Sequence, residues 1–169
     1  KLDVDGNAEI TATENINAKT VEIAGTANIT AVNATVETLT VGGIADVQIT
    51  NDLTVTTATF GADATINVGG NAKVDILTVA GITDLDVTGN FETVTTILTG
   101  IADVNVKGNL TTTDFTAEDN LTLTVQGDAT AETLTVVKDL TANVKNLVIT
   151  DKLDVDGNAE ITATENINA

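Results

Sequence analysis

Apolar and polar residues alternate in short runs that return along this chain at intervals of 19 residues. Ala64, Ile66 and Val68 flank polar Thr65 and Asn67, and the same spacing appears at Ala8, Ile10 and Ala12 and at Ala102, Val104 and Val106. A second set runs through Leu53 and Val55, then Ala72 and Val74. A third begins at Leu2 and Val4 and continues through Val21/Ile23, Leu39/Val41, Ala58/Phe60 and Leu77/Val79. A period of two puts alternate side chains on opposite faces of a strand, and the abundance of Val, Ile and Thr suits a pleated, half-buried surface. Each run therefore predicts a strand with one face turned to a core.

Written in rows that start at Leu2, Val21, Leu39, Ala58, Leu77, Thr96, Phe115 and Leu134, every row holds 19 residues except the second, which holds 18. Turn residues fill the columns between the runs. Gly6, Gly25, Gly43, Gly81 and Gly100 occupy the fifth column, and Gly70, Gly89, Gly108 and Gly127 the thirteenth. The fourteenth holds Asn15, Asn33, Asp52, Asn71, Asn90, Asn109 and Asp128 before Leu147 interrupts it. Gly, Asn and Asp accept positive φ at the least cost, so these columns read as tight corners. Three strands and three corners per row predict an all-β fold, a parallel β-solenoid with one coil per row. Coils stack at the inter-strand spacing, so eight of them advance about 38 Å. The Asn/Asp column predicts a ladder of side-chain amides along the axis.

A longer repeat encloses the short one. Residues 152–169 repeat residues 1–18 without a change. Residues 1–151 are thus one unit of eight coils and residues 152–169 the start of the next identical unit, with no domain boundary between them. The chain reads as a window on a tandem array, and length obtained by identical copies serves a molecule that spans a distance.

Composition narrows the function. Only twelve residue types occur, with no Ser, Arg, His, Cys, Met, Pro, Trp or Tyr. Without Pro every backbone N–H stays available to a ladder. Without His, Cys or Ser the usual bases and nucleophiles are absent, and coils of near-constant length leave no long loop to build a cleft, so no enzyme is expected. No disulfide or thiolate metal site is available, and no stretch has the apolar length of a membrane span. The net charge of −18 predicts a polyanionic rod that repels nucleic acid and anionic lipid. Its expected partners are copies of itself, in tandem or head to tail, with lateral bundling when divalent cations screen the charge. Calcium on the acidic surface is the one cofactor left open.

Three narrower readings fall short. Asp3-Val4-Asp5-Gly6-Asn7 matches the opening of a calcium loop but lacks the later bidentate Glu, and Val4 belongs to an inward column. Thr40, Thr59, Thr78, Thr116 and Thr135 make the second column Thr-rich, yet Asp3, Glu22 and Ile97 break the regularity that ice binding needs. Glycosylation sequons at Asn28, Asn33, Asn109 and Asn120 are common by chance in a chain so rich in Asn and Thr.

The phrases LTVGGIADVQITNDLTV (residues 39–55) and LTVAGITDLDVTGN (residues 77–90) resemble the β-helical shafts of large bacterial surface adhesins of the filamentous-haemagglutinin type. They are also similar to repeats of trimeric phage tail-fibre shafts. The resemblance implies an extracellular or cell-surface filament or stalk, either structural in itself or the shaft of an adhesin whose receptor-binding module lies elsewhere. It carries no functional residue, being a likeness of fold. A 19-residue coil with three corners lets one chain surround its own core, which favours a single-chain solenoid over the trimer.

Overall fold

The computed structural model describes all 169 residues, and every regular element in it is a β-strand: 16 strands, all paired in parallel. The nine row starts lie directly above one another, since Leu2 pairs with Val21, Val21 with Leu39, Leu39 with Ala58, and so on through Leu134 with Leu153. Each row is one coil of a parallel β-solenoid, numbered here coil 1 (from Leu2) to coil 9 (from Leu153). The 18-residue row loses its residue at a corner: Ala31 pairs with Ile49 and Asn15 with Asn33, so Val32 spans a gap that Thr13 and Glu14 span one coil below.

The three apolar runs line three inward faces, but the corners differ in kind. From coil 2 to coil 6 a short strand such as Ala27–Ala31 or Ala64–Val68 stands alone, whereas the other two runs join in one strand such as Leu53–Phe60. Within Leu53–Phe60 the burial alternates through Leu53 and Val55, skips two outward residues, Thr56 and Thr57, and resumes at Ala58 and Phe60. That change of phase is the third corner. It bends the strand without interrupting its ladder, because both runs keep their pairing to the coils above and below. In Leu121–Val136 the strand continues through the second corner as well, so Gly127, expected at a break, lies inside a strand.

Side chains of 45 buried apolar residues form one continuous core along the axis. Phe60, Phe91 and Phe115 supply its bulk where neighbouring inward positions hold Ala58, Ala72 or Ala117. Four threonines replace apolar residues in it. Thr93 and Thr96 meet hydroxyl to hydroxyl at 3.1 Å, and Thr112 donates to the Asp114 carbonyl at 3.3 Å. Thr83, stacked between Ala64 and Ala102 in its column, has no partner for its hydroxyl.

Candidate functional site

The chemistry of this molecule is concentrated in the seams where one coil meets the next. At the second corner the Asn/Asp column is joined from end to end. Asn33 Oδ1 accepts from the Asp52 amide at 3.2 Å, Asp52 Oδ1 from Asn71 at 2.8 Å, Asn71 from Asn90 at 3.0 Å, Asn90 from Asn109 at 2.9 Å and Asn109 from Asp128 at 2.9 Å. The rungs are thus mainly side-chain oxygen to backbone N–H, one coil up, rather than amide to amide. Asp serves as well as Asn because a rung asks only for an acceptor. Two rungs differ: Asn33 Nδ2 donates to Asn15 Oδ1 and Asn146 Nδ2 to Asp128 Oδ1, each at 2.7 Å. Both join residues 18 apart, where the shortened corner brings the side-chain amide into the backbone's place.

The seam does not end at Leu147. Asp128 pairs with Asn146, and Asn146 Oδ1 accepts from the Asn166 amide at 3.1 Å. Coil 8 loses one residue at the corner between Val144 and Asn146 and regains it between Ile149 and Lys152, opposite Ala131 and Thr133. Its length stays 19, so counting places Leu147 in the column while the structure places Asn146 there; Leu147 is a core residue.

The reason for the corner glycines also needs correcting. No residue in the chain, glycine included, has positive φ. What the corners exclude is a Cβ. At Gly108 it would stand 2.5 Å from Asn90 Oδ1 and 2.5 Å from the Gly89 carbonyl, at Gly127 2.2 Å from Asn109 Oδ1, and at Gly70 2.5 Å from Asp52 Oδ1. The three side-chain oxygens bond the next residue's amide, and the Gly89 carbonyl bonds the amide of Gly108 itself. Gly and Asx are therefore one device: the glycine clears the path along which the side chain below reaches the N–H above. Gly89 is crowded in the same way by Asn71 Oδ1. Gly43 and Gly100 come nearest to backbone, of Gly25 and Thr26 and of Gly81 and Ile82, and Gly6, with no coil beneath it, meets nothing. Rung lengths follow. Where glycine precedes the donor the backbone rungs measure 2.8–3.0 Å, and where Asn51, Lys138 or Glu165 precedes it they measure 3.1–3.2 Å.

A second, interrupted ladder climbs the first corner, and sequence reading passed over it. Asn7 accepts from the Thr26 amide at 2.9 Å, Asp63 from Ile82 at 2.8 Å, Asn120 from Asp139 at 3.1 Å and Asp139 from Asn158 at 2.8 Å. Gly25 and Gly81 clear the same path there, with Asn7 Oδ1 and Asp63 Oδ1 each 2.3 Å from the missing Cβ. Thr26, Ile44, Ile82 and Ile101 dilute the column, and only the Gly-Asx pairs at Gly6-Asn7 and Gly157-Asn158 hinted at it.

Charge is arranged on the same vertical plan. Of the seven lysines, five reach a carboxylate on an adjacent coil: Lys1 to Glu22 at 2.7 Å, Lys19 to Glu37 at 3.9 Å, Lys73 to Glu92 at 2.5 Å, Lys138 to Asp119 at 2.6 Å and Lys145 to Glu165 at 3.7 Å. Exposed pairs of this kind add little stability, but each relieves like-charge stacking where it sits. Lys138 holds the Asp119 carboxyl below the usual range. Asp84 has no such relief. Burial, then Asp86 beside it and Asp103 stacked above it, push its carboxyl up. No three acidic side chains converge on one point.

No family model matches the chain, and no curated protein or solved structure matches it. The parallel β-solenoid thus stands on the structure itself.

Proposed function

We propose that this chain is a structural, non-catalytic segment of a long repetitive filament or stalk, extracellular or at a cell surface, that acts by its length and stiffness. The observation that carries the reading is the junction between the copies. Residues 152–169 lie on coil 8 through Leu134 to Leu153 and Leu140 to Ala159, and they repeat residues 1–18. A further copy can thus continue the stack without a change of architecture, each coil touching only its neighbours. Both end coils expose sheet edges and part of the core; an apolar recess of about 80 Å³ runs from Leu2, Ile10 and Ile16 of coil 1 up to Leu39, Val47 and Leu53 of coil 3. A core enclosed by one chain supports a single-chain shaft over a trimeric one.

The test is particle length against copy number. Chains of one to four 151-residue units, imaged by electron microscopy with and without calcium, should form rods of constant width that lengthen by about 38 Å per unit. Particles whose diameter grows with copy number overturn the filament, and saturable turnover of a polysaccharide by a single unit replaces it with an enzyme.

A further inference from the structure

One side of the solenoid departs from the rest of its surface. Residues 38–44, 57–63, 76–82 and 95–101 stack in register over four coils, forming the outer side of one face and the first corner beside it. They read TLTVGGI, TATFGAD, ILTVAGI and TTILTGI. The chain is 19% charged, so 28 residues would carry about five charges (0.19 × 28), and these carry one. That one, Asp63, is engaged by the Ile82 amide at 2.8 Å. The same coils bear Asp84, Asp86 and Asp103 on the second face and Lys73, Asp75 and Glu92 on the third.

A second, independent feature falls on the same panel. Of the eight large apolar side chains left exposed, four lie here: Ile44 at 54%, Ile76 at 43%, Ile82 at 54% and Ile101 at 52%. Two of the others, Leu2 and Ile167, belong to the end coils. Three of the four project from the corner, where the ladder column elsewhere holds Asn7, Asn120 and Asn158. Isoleucine there gives up a rung to the coil above and leaves apolar surface in water. Between these side chains the panel is flat and small, with Thr40, Gly42, Thr59, Gly61, Thr78 and Ala80 on its outer positions.

The geometry points to a lateral docking surface for a second copy of this chain, the two solenoids lying side by side with panel against panel. Charge selects the occupant. Two rods of net charge −18 meet with least repulsion through the one panel that is almost free of charge, and a self-complementary patch closes a two-fold pair. Area sets the strength. Four coils at the inter-strand spacing by seven residues of strand make roughly 400 Å², so a pair buries about 800 Å², below the 1,200 Å² or more of stable specific interfaces. A single panel thus pairs weakly. Panels recurring with every 151-residue unit on two parallel shafts would add their contacts through effective concentration. The pairing of one panel does not depend on the filament reading. Glu22 below the panel is held by Lys1, but Asp114 and Glu118 above it are not paired with lysine. In a two-fold pair these edges approach the partner's edges, so salt strengthens the contact by screening them.

The experiment uses the 169-residue chain and small-angle X-ray scattering from tens of micromolar to several millimolar, at low and high salt. Side-by-side pairing doubles the mass per unit length, whereas end-to-end association lengthens the particle at constant cross-section, so the two are read separately. The expected result is a cross-section that grows with concentration, and more steeply at high salt. Ile82→Asn with Ile101→Asn puts into the column the residue it holds elsewhere, so the variant keeps its fold, which circular dichroism checks; pairing should weaken about tenfold or more. Val137→Asn, an equally polar change at an exposed apolar side chain three coils above Ala80, should leave pairing unchanged. A constant cross-section at every concentration and salt overturns the proposal, as does equal weakening by Val137→Asn. Capture of single chains by phosphatidylcholine vesicles assigns the panel to a lipid surface instead and overturns it too.

Discussion

Replacing Gly108 with alanine tests whether the glycines exist for the coil beneath them or for their own backbone. The added Cβ would meet Asn90 Oδ1 and the Gly89 carbonyl, both at 2.5 Å. Those atoms hold the Asn109 amide at 2.9 Å and the Gly108 amide at 3.0 Å. The Asn90 side chain can swing away at the loss of a rung, about 1 kcal/mol. The carbonyl can retreat only with its coil, an overpacking cost of about 1–3 kcal/mol. Against this, Gly→Ala at an ordinary φ stabilises by about 0.4–1 kcal/mol through the unfolded chain. The rungs beside Asn51, Lys138 and Glu165, stretched to 3.1–3.2 Å, show that the seam can admit a Cβ, which keeps the net loss near 1–3 kcal/mol. Gly6 is the control: nothing lies within 4 Å of its Cβ, so Gly6→Ala should be neutral or stabilising. Urea denaturation gives the overall change, and native-state hydrogen exchange at the Asn109 amide localises it, as a stack held by nearest-neighbour contacts requires. Equal effects of the two substitutions, or a gain in stability for Gly108→Ala, would refute the stacking account.

Two further predictions follow from single side chains. Thr83→Val keeps the shape and removes a buried hydroxyl that has no partner, so it should raise the urea midpoint by an amount worth about 1–2 kcal/mol; an unchanged or lower midpoint shows that the hydroxyl is satisfied in solution. Asp84 is a carboxyl whose folded pKa is raised, so the folded state binds its proton more tightly and stability falls as pH rises from the ordinary Asp value, about 3.9, through the raised folded one. Asp84→Asn should therefore be more stable than the parent at neutral pH and should flatten the melting-temperature curve over that window, and parallel curves for the two proteins would count against the assignment.

Much of this fold was legible because a solenoid repeats its own evidence. The row starts from Leu2 to Leu153 fell into register from the alternation alone, since a slip of one residue would turn Val47, Ile66 and Leu85 outward together. What stayed hidden shares a physical cause. The third corner left no glycine signal because at a bend such as Thr56-Thr57 no side-chain oxygen bonds a backbone N–H of the coil above, and residues with a Cβ fit it. Asn146 was missed because a deletion and an insertion cancel within coil 8, and length is blind to a compensated shift. The ladder at the first corner was diluted because a rung needs an acceptor below but only a backbone N–H above, so Ile82 can complete one that Asp63 begins. The glycines misled for a related reason: exclusion of a Cβ selects the same residue whether a positive φ or a neighbour's oxygen does the excluding. The two causes separate only once the residue 19 positions earlier is known to lie beneath, and at Gly6, which has none beneath it, the constraint vanishes although the sequence around Gly157 is the same.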